Sequence, residues 1–490
     1  MKKERFKKKM AVFLGMVLLT SFPGITGCKK DSSVQEEEIV LKWYIPNSDL
    51  EDLDMVMEEF NKRLYEKAGF KLELRTIPQD DYADKMMMNL SSGEDFDLMF
   101  VGWLNPYARM VESDYLYDIT EMVENSPIKD TMPQYVWEGT RINDRIYAVP
   151  NYQVLFEQHA VKVRKDLVDK YNLDISTIKK TEDIEPFLKL IQENEPDLYP
   201  FRINFHETSF GKLVSDERQC EWASELVRVF VNEDGDVECI PFYEDMDYVD
   251  CIYKLREWYE KGYIRKDAAN ISNDDEDFGN QKYAVSMDHY KPGGLVDFYR
   301  RYDFEVVEIP VTERFVGSGA QNAATIAINK KSKHPEEAFK LIEIINTDKE
   351  LYNMLVFGLE GVHYDKIGEN RIHIKEDGKH VIQAWKVGNQ FNAYLIDNQD
   401  EKDWDNTKKG NEESKITKLN GFFVDNSKIK RENNQVWNVF EKYRVMFTGA
   451  VDLDDIWDTM ISELEQAGIR KICEETERQA QEFINKNKTN

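Results

Sequence analysis

The stretch from Ile39 to Val101 constrains the fold more than any other part of this 490-residue chain. Ile39 to Ile45 is an apolar, β-rich run. Asp49 to Ala68 then sets Leu50, Leu53, Val56, Met57, Phe60 and Leu64 on one face, the recurrence of an amphipathic helix. Gly69 supplies a helix stop. Phe70, Leu72 and Leu74 alternate with charged residues, as a strand does. Gln79 to Leu90 reads as a second helix, Ser91-Ser92-Gly93 breaks it, and Phe96 to Val101 reads as a third strand. Successive β-α-β units need crossover connections, which build a mostly parallel sheet covered by helices. The same grammar returns downstream. Arg145 to Pro150, Lys282 to Met287 and Ala324 to Asn329 read as strands. Val163 to Tyr171, Glu182 to Glu193, Tyr248 to Lys261 and Pro335 to Asn346 read as helices. Asp400 to Lys418 is charged and irregular and reads as a surface excursion.

The N-terminus has a different character. Six basic residues (Lys2, Lys3, Arg5, Lys7, Lys8, Lys9) precede an apolar run from Met10 to Thr20, and Ile25-Thr26-Gly27-Cys28 follows. A basic region, a short apolar region and a small-residue cleavage site make a secretory signal. The run is too short for a helix across a bilayer of about 30 Å. A cysteine after an aliphatic-small-Gly triplet resembles the lipobox of bacterial lipoproteins. That resemblance implies a signal peptide over 1–27, lipid on Cys28, and a polar spacer to residue 38 on the outer face of the plasma membrane.

Composition narrows the function classes. The net charge is −28, a body that repels nucleic acid and anionic membrane surfaces. Beyond Cys28 only Cys220, Cys239, Cys251 and Cys473 remain, too sparse for a disulfide scaffold. A bridge among the first three stays open beside isolated buried thiols. There is no CxxC pair, HExxH or GxSxG, and the seven histidines have no ligand spacing, so neither a metal, a cofactor nor a hydrolase elbow is expected. Asn232 to Glu238 fails the calcium-loop pattern and reads as a turn.

Three stretches in this order resemble the extracellular solute-binding proteins of ABC importers: Phe96 to Trp103 with Tyr115 to Thr120, Asn143 to Tyr152, and His334 to Tyr364. Gly421 to Asp425, Phe447 to Asp452 and Ile461 to Ile469 are similar to a C-terminal domain of unknown function found in a LipO-like lipoprotein subgroup, although Asn426-Ser427-Lys428 stands where that subgroup usually has a proline. The resemblance implies an α/β, two-lobe, periplasmic-binding-protein-like (type II) fold with hinge strands and a helical C-terminal extension. It places lobe one over 39–151, lobe two over 152–324, and a return to lobe one with the C-terminal domain over 325–490. It further implies a monomer that carries a sugar or oligosaccharide between its lobes to permease subunits.

A sugar site needs flat rings for the C–H faces and amides or charged forks for the hydroxyls. Trp103 and Asn105 follow the strand ending at Val101, and strand C-terminal ends are where open α/β sheets bind ligands. Tyr44 and Asn47 end the first strand. Asn151, Tyr152 and Gln153 sit at the expected crossover, His289 and Tyr290 in a Gly-rich loop, and Trp385 in WKVGNQF. Most of the 9 Trp, 24 Tyr and 26 Phe must be core. The competing readings are an anchored lyase or glycosidase, which turnover would reveal, and a sensor presenting ligand to a receptor. With 93 acidic residues, a glycosidase carboxylate pair is not legible in the sequence.

Overall fold

The computed structural model describes residues 38–205, 226–375, 379–397 and 399–488. Cys28 and Cys220 lie outside them. The expected β-α-β start is present: β1 (Val40–Pro46), a helix over Leu53–Ala68, β2 (Lys71–Ile77), a helix over Gln79–Ser92, and β3 (Leu98–Gly102). Gly69 ends the first helix in the left-handed region, at φ 79°, where glycine has no Cβ to clash.

These strands join β4 (Ala148–Pro150) and a late strand, β12 (Ala324–Ile328), in a five-stranded sheet of order β2-β1-β3-β12-β4. β1 runs parallel to β2 and β3, and β12 is antiparallel to β3 and β4. Helices cover both faces, so β1 has no solvent side. Trp43 and Tyr44 are both buried, against different apolar clusters. Alternation sends the two rings to opposite faces, and both faces of this sheet are covered.

A second sheet has the order β10-β5-β9-β6, from β5 (His159–Arg164), β6 (Tyr199–Phe201), β9 (Tyr283–His289) and β10 (Val306–Pro310). β5 was not expected as a strand; its last residues had been merged into the helix that begins at Lys165. A hairpin of β7 (Val227–Val231) and β8 (Val237–Pro241) turns at Asn232–Asp236, as the failed calcium pattern predicts. Cys239 and Cys473 are buried and Cys251 is half-buried.

The C-terminal third divides between the sheets. The helices Pro335–Thr347 and Lys349–Phe357 pack on the first. The helices Lys430–Tyr443, Leu453–Ala467 and Ile469–Lys488 share one apolar cluster with the second. Gln481 and Glu477 of the last helix accept hydrogen bonds from the backbone N–H groups of Val237 and Cys239 on β8, each at 2.9 Å. Residues 400–418 are a correction to the sequence reading. They contain an ordered helix, Asp403–Glu413, with Asn411 fully buried. Apart from the buried Asp403, its charged residues lie toward solvent, which made the segment look like a loop. Gly410 lies against the Phe156 ring, where a Cβ would fall 2.3 Å from Cε1. Among the described residues no helix is long and apolar enough to cross a membrane.

Candidate functional site

The topology brings two strand edges face to face. In the first sheet β1, β2, β3 and β4 run the same way, so Pro46, Ile77, Gly102 and Pro150 end at one edge. In the second, β6, β9 and β10 end at the edge where β5 begins. The chain passes from Asn151 at the first edge to His159 at the second, and returns from Pro310 to Ala324. Three connecting segments lie side by side there. Glu157 pairs with Phe315, and β11 (Phe315–Val316) pairs with β13 (Lys415–Ile416). A few hydrogen-bonded strands between two rigid bodies are the construction of a hinge.

At the first edge the end of β3 touches the returning segment. A Cβ on Gly102 would fall 2.0 Å from the Ala323 carbonyl oxygen, so only glycine permits this approach. Trp103 then donates its backbone N–H to that oxygen at 3.0 Å. Its side chain is 50% exposed, which for so large a ring marks a surface available to a partner. Asn105 is buried, and its Nδ2 has no acceptor among the described residues. The Trp385 ring is half-buried and meets Phe100 of β3 edge-on, with centroids 6.3 Å apart.

Asn151 holds the loop that carries Trp385. Its Nδ2 donates to the Trp385 carbonyl at 3.1 Å, and its Oδ1 accepts from the Gly388 N–H at 2.9 Å. Next to Trp385, Lys386 is buried, and its Nζ donates to the Pro46 carbonyl at the end of β1, at 2.7 Å. Burial pulls its pKa down to about 8.

At the second edge His289 pairs directly across the ladder with His159, ring centroids 4.6 Å apart. Tyr290 is half-buried and donates its backbone N–H to Gln158. Behind them Lys162 on β5 bridges to Asp288 on β9 at 3.1 Å and to Glu308 on β10 at 3.5 Å. Burial raises the Glu308 carboxyl above its usual range despite that lysine.

Two expected contacts are corrected. The Tyr44 hydroxyl donates to Glu94 and accepts from Arg75 at 2.7 Å. Glu94 lies before the start of β3, so this hydroxyl is engaged at the opposite edge of the sheet. Tyr152 is packed into the core against Phe391, with centroids 4.8 Å apart. Asn151 is a correction in part: both polar atoms of its amide are spent on the Trp385 loop. Asn47 is largely buried, with its Nδ2 on the Ser48 carbonyl, and Gln153 is half-buried with its carbonyl held by Asn411. Trp103, Asn105, Asn47 and Trp385 thus gather at one edge and His289 and Tyr290 at the other. Sequence reasoning missed Lys386, His159 and Asn411. His159 becomes legible once its register with His289 is known; Lys386 is one of 65 basic residues and carries no sequence signal.

Two α/β bodies, joined by hydrogen-bonded strands and facing each other through strand ends, define a two-lobe binding protein. Residues 47–350 match the family model of the bacterial extracellular solute-binding proteins, and the chain belongs to that family. Residues 418–485 match a domain of unknown function, DUF3502. The chain is 28% identical to a carbohydrate ABC transporter substrate-binding protein of Streptococcus pneumoniae serotype 4, over 96% of both chains. It is 20% identical, over 68% of each chain, to the polygalacturonan/rhamnogalacturonan-binding protein YtcQ of Bacillus subtilis. Among solved structures it resembles the N-glycan transport solute-binding protein NgtS of Streptococcus pneumoniae. The TM-score is 0.82 at 26% identity, over 91% of this chain and 99% of that one. Against NgtS in complex with Man5GlcNAc the TM-score is 0.71.

Proposed function

We propose that this protein is a lipid-anchored solute-binding protein that delivers an oligosaccharide to the permease subunits of an ABC importer. The observation that carries the reading is the half-exposed Trp103 ring at the C-terminal edge of the first sheet, across the hinge from the His289–Tyr290 edge. A rigid aromatic surface beside amide groups is the chemistry that grips pyranose rings. The relative matched over nearly the full length is a carbohydrate transporter component, which favours sugar over peptide or amino acid. The glycan bound by NgtS and the galacturonans named for YtcQ supply a neutral and an acidic probe class. Trp103, Trp385, Asn105, Asn47, Gln153, His289 and Tyr290 line the proposed site, Asn151 supports it, and no catalytic group is assigned. Lobe one is taken as 39–151 with the helices over 335–357, and lobe two as 152–324.

The superposition on one NgtS structure scores 0.82 and that on NgtS in complex with Man5GlcNAc scores 0.71. A difference between two structures of one relative supports a body whose lobes move about a hinge. The membrane tether at the outer face of the plasma membrane rests on the Ile25–Cys28 lipobox, and the LipO-like assignment rests on the C-terminal domain matched over 418–485.

The deciding experiment is calorimetric titration of the mature protein with Man5GlcNAc and with an oligogalacturonide. Stoichiometric binding of one, without product release, is expected. If an amino acid or peptide binds while neither glycan does, the carbohydrate reading fails; if a bound glycan is turned over, the enzyme reading replaces it. For the anchor, a fatty-acid probe should label the wild type and not Cys28→Ala. Equal labelling of both would remove the tether.

A further inference from the structure

Five cationic side chains are buried among the described residues: Lys162, Arg202, Arg228, Arg265 and Lys386. Four of them meet a carboxylate within 3.1 Å: Lys162 with Asp288, Arg202 with Asp274, Arg228 with Asp245, and Arg265 with Asp267. Lys386 meets none. Its one hydrogen-bond partner among the described residues is the Pro46 carbonyl, and the Trp385 ring lies 5.3 Å from its Nζ. An ammonium has three N–H donors, so a single carbonyl leaves two unspent. A buried charge without a counter-charge is unfavourable, and this chain has carboxylates in excess with which to have relieved it.

The position of Lys386 is informative. The carbonyl it holds is the last of β1, at the edge where four strands end. The loop that carries it is fixed from both sides, by Asn151 at Trp385 and at Gly388. The Tyr352 hydroxyl, donating to the Ala384 carbonyl at 2.8 Å, pins the residue just before them. The side chain is thus held in place rather than left to swing out to solvent.

Resting on the carbohydrate reading above, we infer that Lys386 is a specificity-determining residue whose ammonium donates hydrogen bonds to oxygen atoms of the bound sugar, while Trp385 beside it packs on the ring. The acceptor chemistry is oxygen, from hydroxyls or from a uronate carboxylate. Ligand oxygens complete the donor set that the protein leaves open, and they stabilise the charged form against the burial that disfavours it. Binding between pH 8 and 9 therefore draws a proton onto Lys386. The tyrosines that hydrogen-bond to the backbone of this loop and of the end of β1 are Tyr352, on the Ala384 carbonyl, and Tyr82, on the Tyr44 carbonyl, and burial is the cause that shifts Lys386. Burial raises both far above this range, so neither contributes the proton.

The test uses the mature protein, Lys386→Met and Lys386→Arg, titrated with Man5GlcNAc and with an oligogalacturonide at pH 7 and pH 8.5 in buffers of different ionisation enthalpy. Lys386→Met should lose tenfold or more in affinity, with Lys386→Arg recovering part of it. At pH 8.5 the wild type should take up a fraction of a proton on binding, and Lys386→Met none. A larger loss with the oligogalacturonide assigns the acceptor to the carboxylate; an equal or larger loss with the neutral glycan assigns it to hydroxyls. Unchanged affinity in Lys386→Met, with the same buffer dependence as wild type, overturns the inference. Failure of both glycans to bind the wild type overturns the carbohydrate reading instead. Reductive methylation at pH 8 read by peptide mass spectrometry then decides this one. Modification of Lys386 in the folded protein supports open donors at the edge, and a Lys386 that stays unmodified until the chain unfolds overturns them.

Discussion

The two facing edges handle polarity in opposite ways. Around the second sheet charge is neutralised from within: Lys162 sits among Asp288 and Glu308, and Arg265 is forked by Asp267 and Asp277 with the Tyr283 hydroxyl at 2.9 Å. The first edge has an exposed tryptophan, a buried amide nitrogen without an acceptor at Asn105, and a buried ammonium without a carboxylate. Buried polar groups are normally satisfied. The charges around the second sheet already face opposite charges, although Glu308 Oε1 makes no hydrogen bond there, whereas the first edge holds an ammonium that meets no carboxylate among the described residues. Under the proposed function, the contrast gives the first lobe the larger part in recognition and the second the part of the jaw that closes on it.

Two tryptophans test this most strongly. Trp258 in the second lobe is 1% exposed and meets Phe201 edge-on, with centroids 5.0 Å apart. Trp258→Ala should lower stability by about 3–5 kcal/mol, the range for a large aromatic removed from a packed core. Urea unfolding measures it, and glycan affinity in the surviving folded fraction should stay near wild type. Trp103 should show the reverse. Trp103→Ala is expected to lose about 2 kcal/mol of binding, as anchor aromatics do, with an unchanged melting temperature because half of its surface is already in water. A large fall in melting temperature with intact affinity would move Trp103 into the core and dissolve the contrast.

The sequence made one half of this comparison visible and hid the other. The strands and helices from Val40 to Gly102 were legible because each helix shows a continuous apolar face and ends at a glycine. The place of Trp103 in the fold was legible for the same reason: it follows a strand end that periodicity locates. β5 was not, because His159–Arg164 mixes histidine, lysine and arginine into a largely buried strand, and the partners of its buried Lys162 come from β9 and β10. Tyr44 misled because its position at the strand end is local, whereas its engagement with Arg75 and Glu94 is tertiary. Lys386 was invisible: its meaning lies in the absence of a carboxylate, and no spacing in the chain encodes an absence.

The smallest expected effect isolates Lys386 without any ligand. Its amine has an ordinary pKa of 10.5 in the unfolded chain and about 8 in the folded protein. Between those values the unfolded state binds more protons than the folded state, so stability rises with pH. Below pH 8 both states are protonated and the group contributes no slope. By pH 9 the gain should reach about 1 kcal/mol, from a shift worth about 1.4 kcal/mol per pKa unit. Tyr82, Tyr107 and Tyr352 are buried acids with raised pKa values. Their stability is lost once unfolded tyrosine ionises near pH 10, and that of the buried Cys251 thiol, pushed up to about 12, once unfolded cysteine ionises near pH 9, so the readable window is pH 8 to about 9. Urea midpoints across that window should climb for the wild type and stay flatter in Lys386→Met, which should also be at least as stable as wild type at pH 7. The paired lysine of the second lobe supplies the control. Lys162 lies beside Asp288 and Glu308, so Lys162→Met strands the buried Glu308 carboxyl and should destabilise at pH 7. If Lys386→Met instead destabilises as Lys162→Met does and keeps the wild-type slope, the two buried lysines are alike and the first edge loses the open charge that sets it apart.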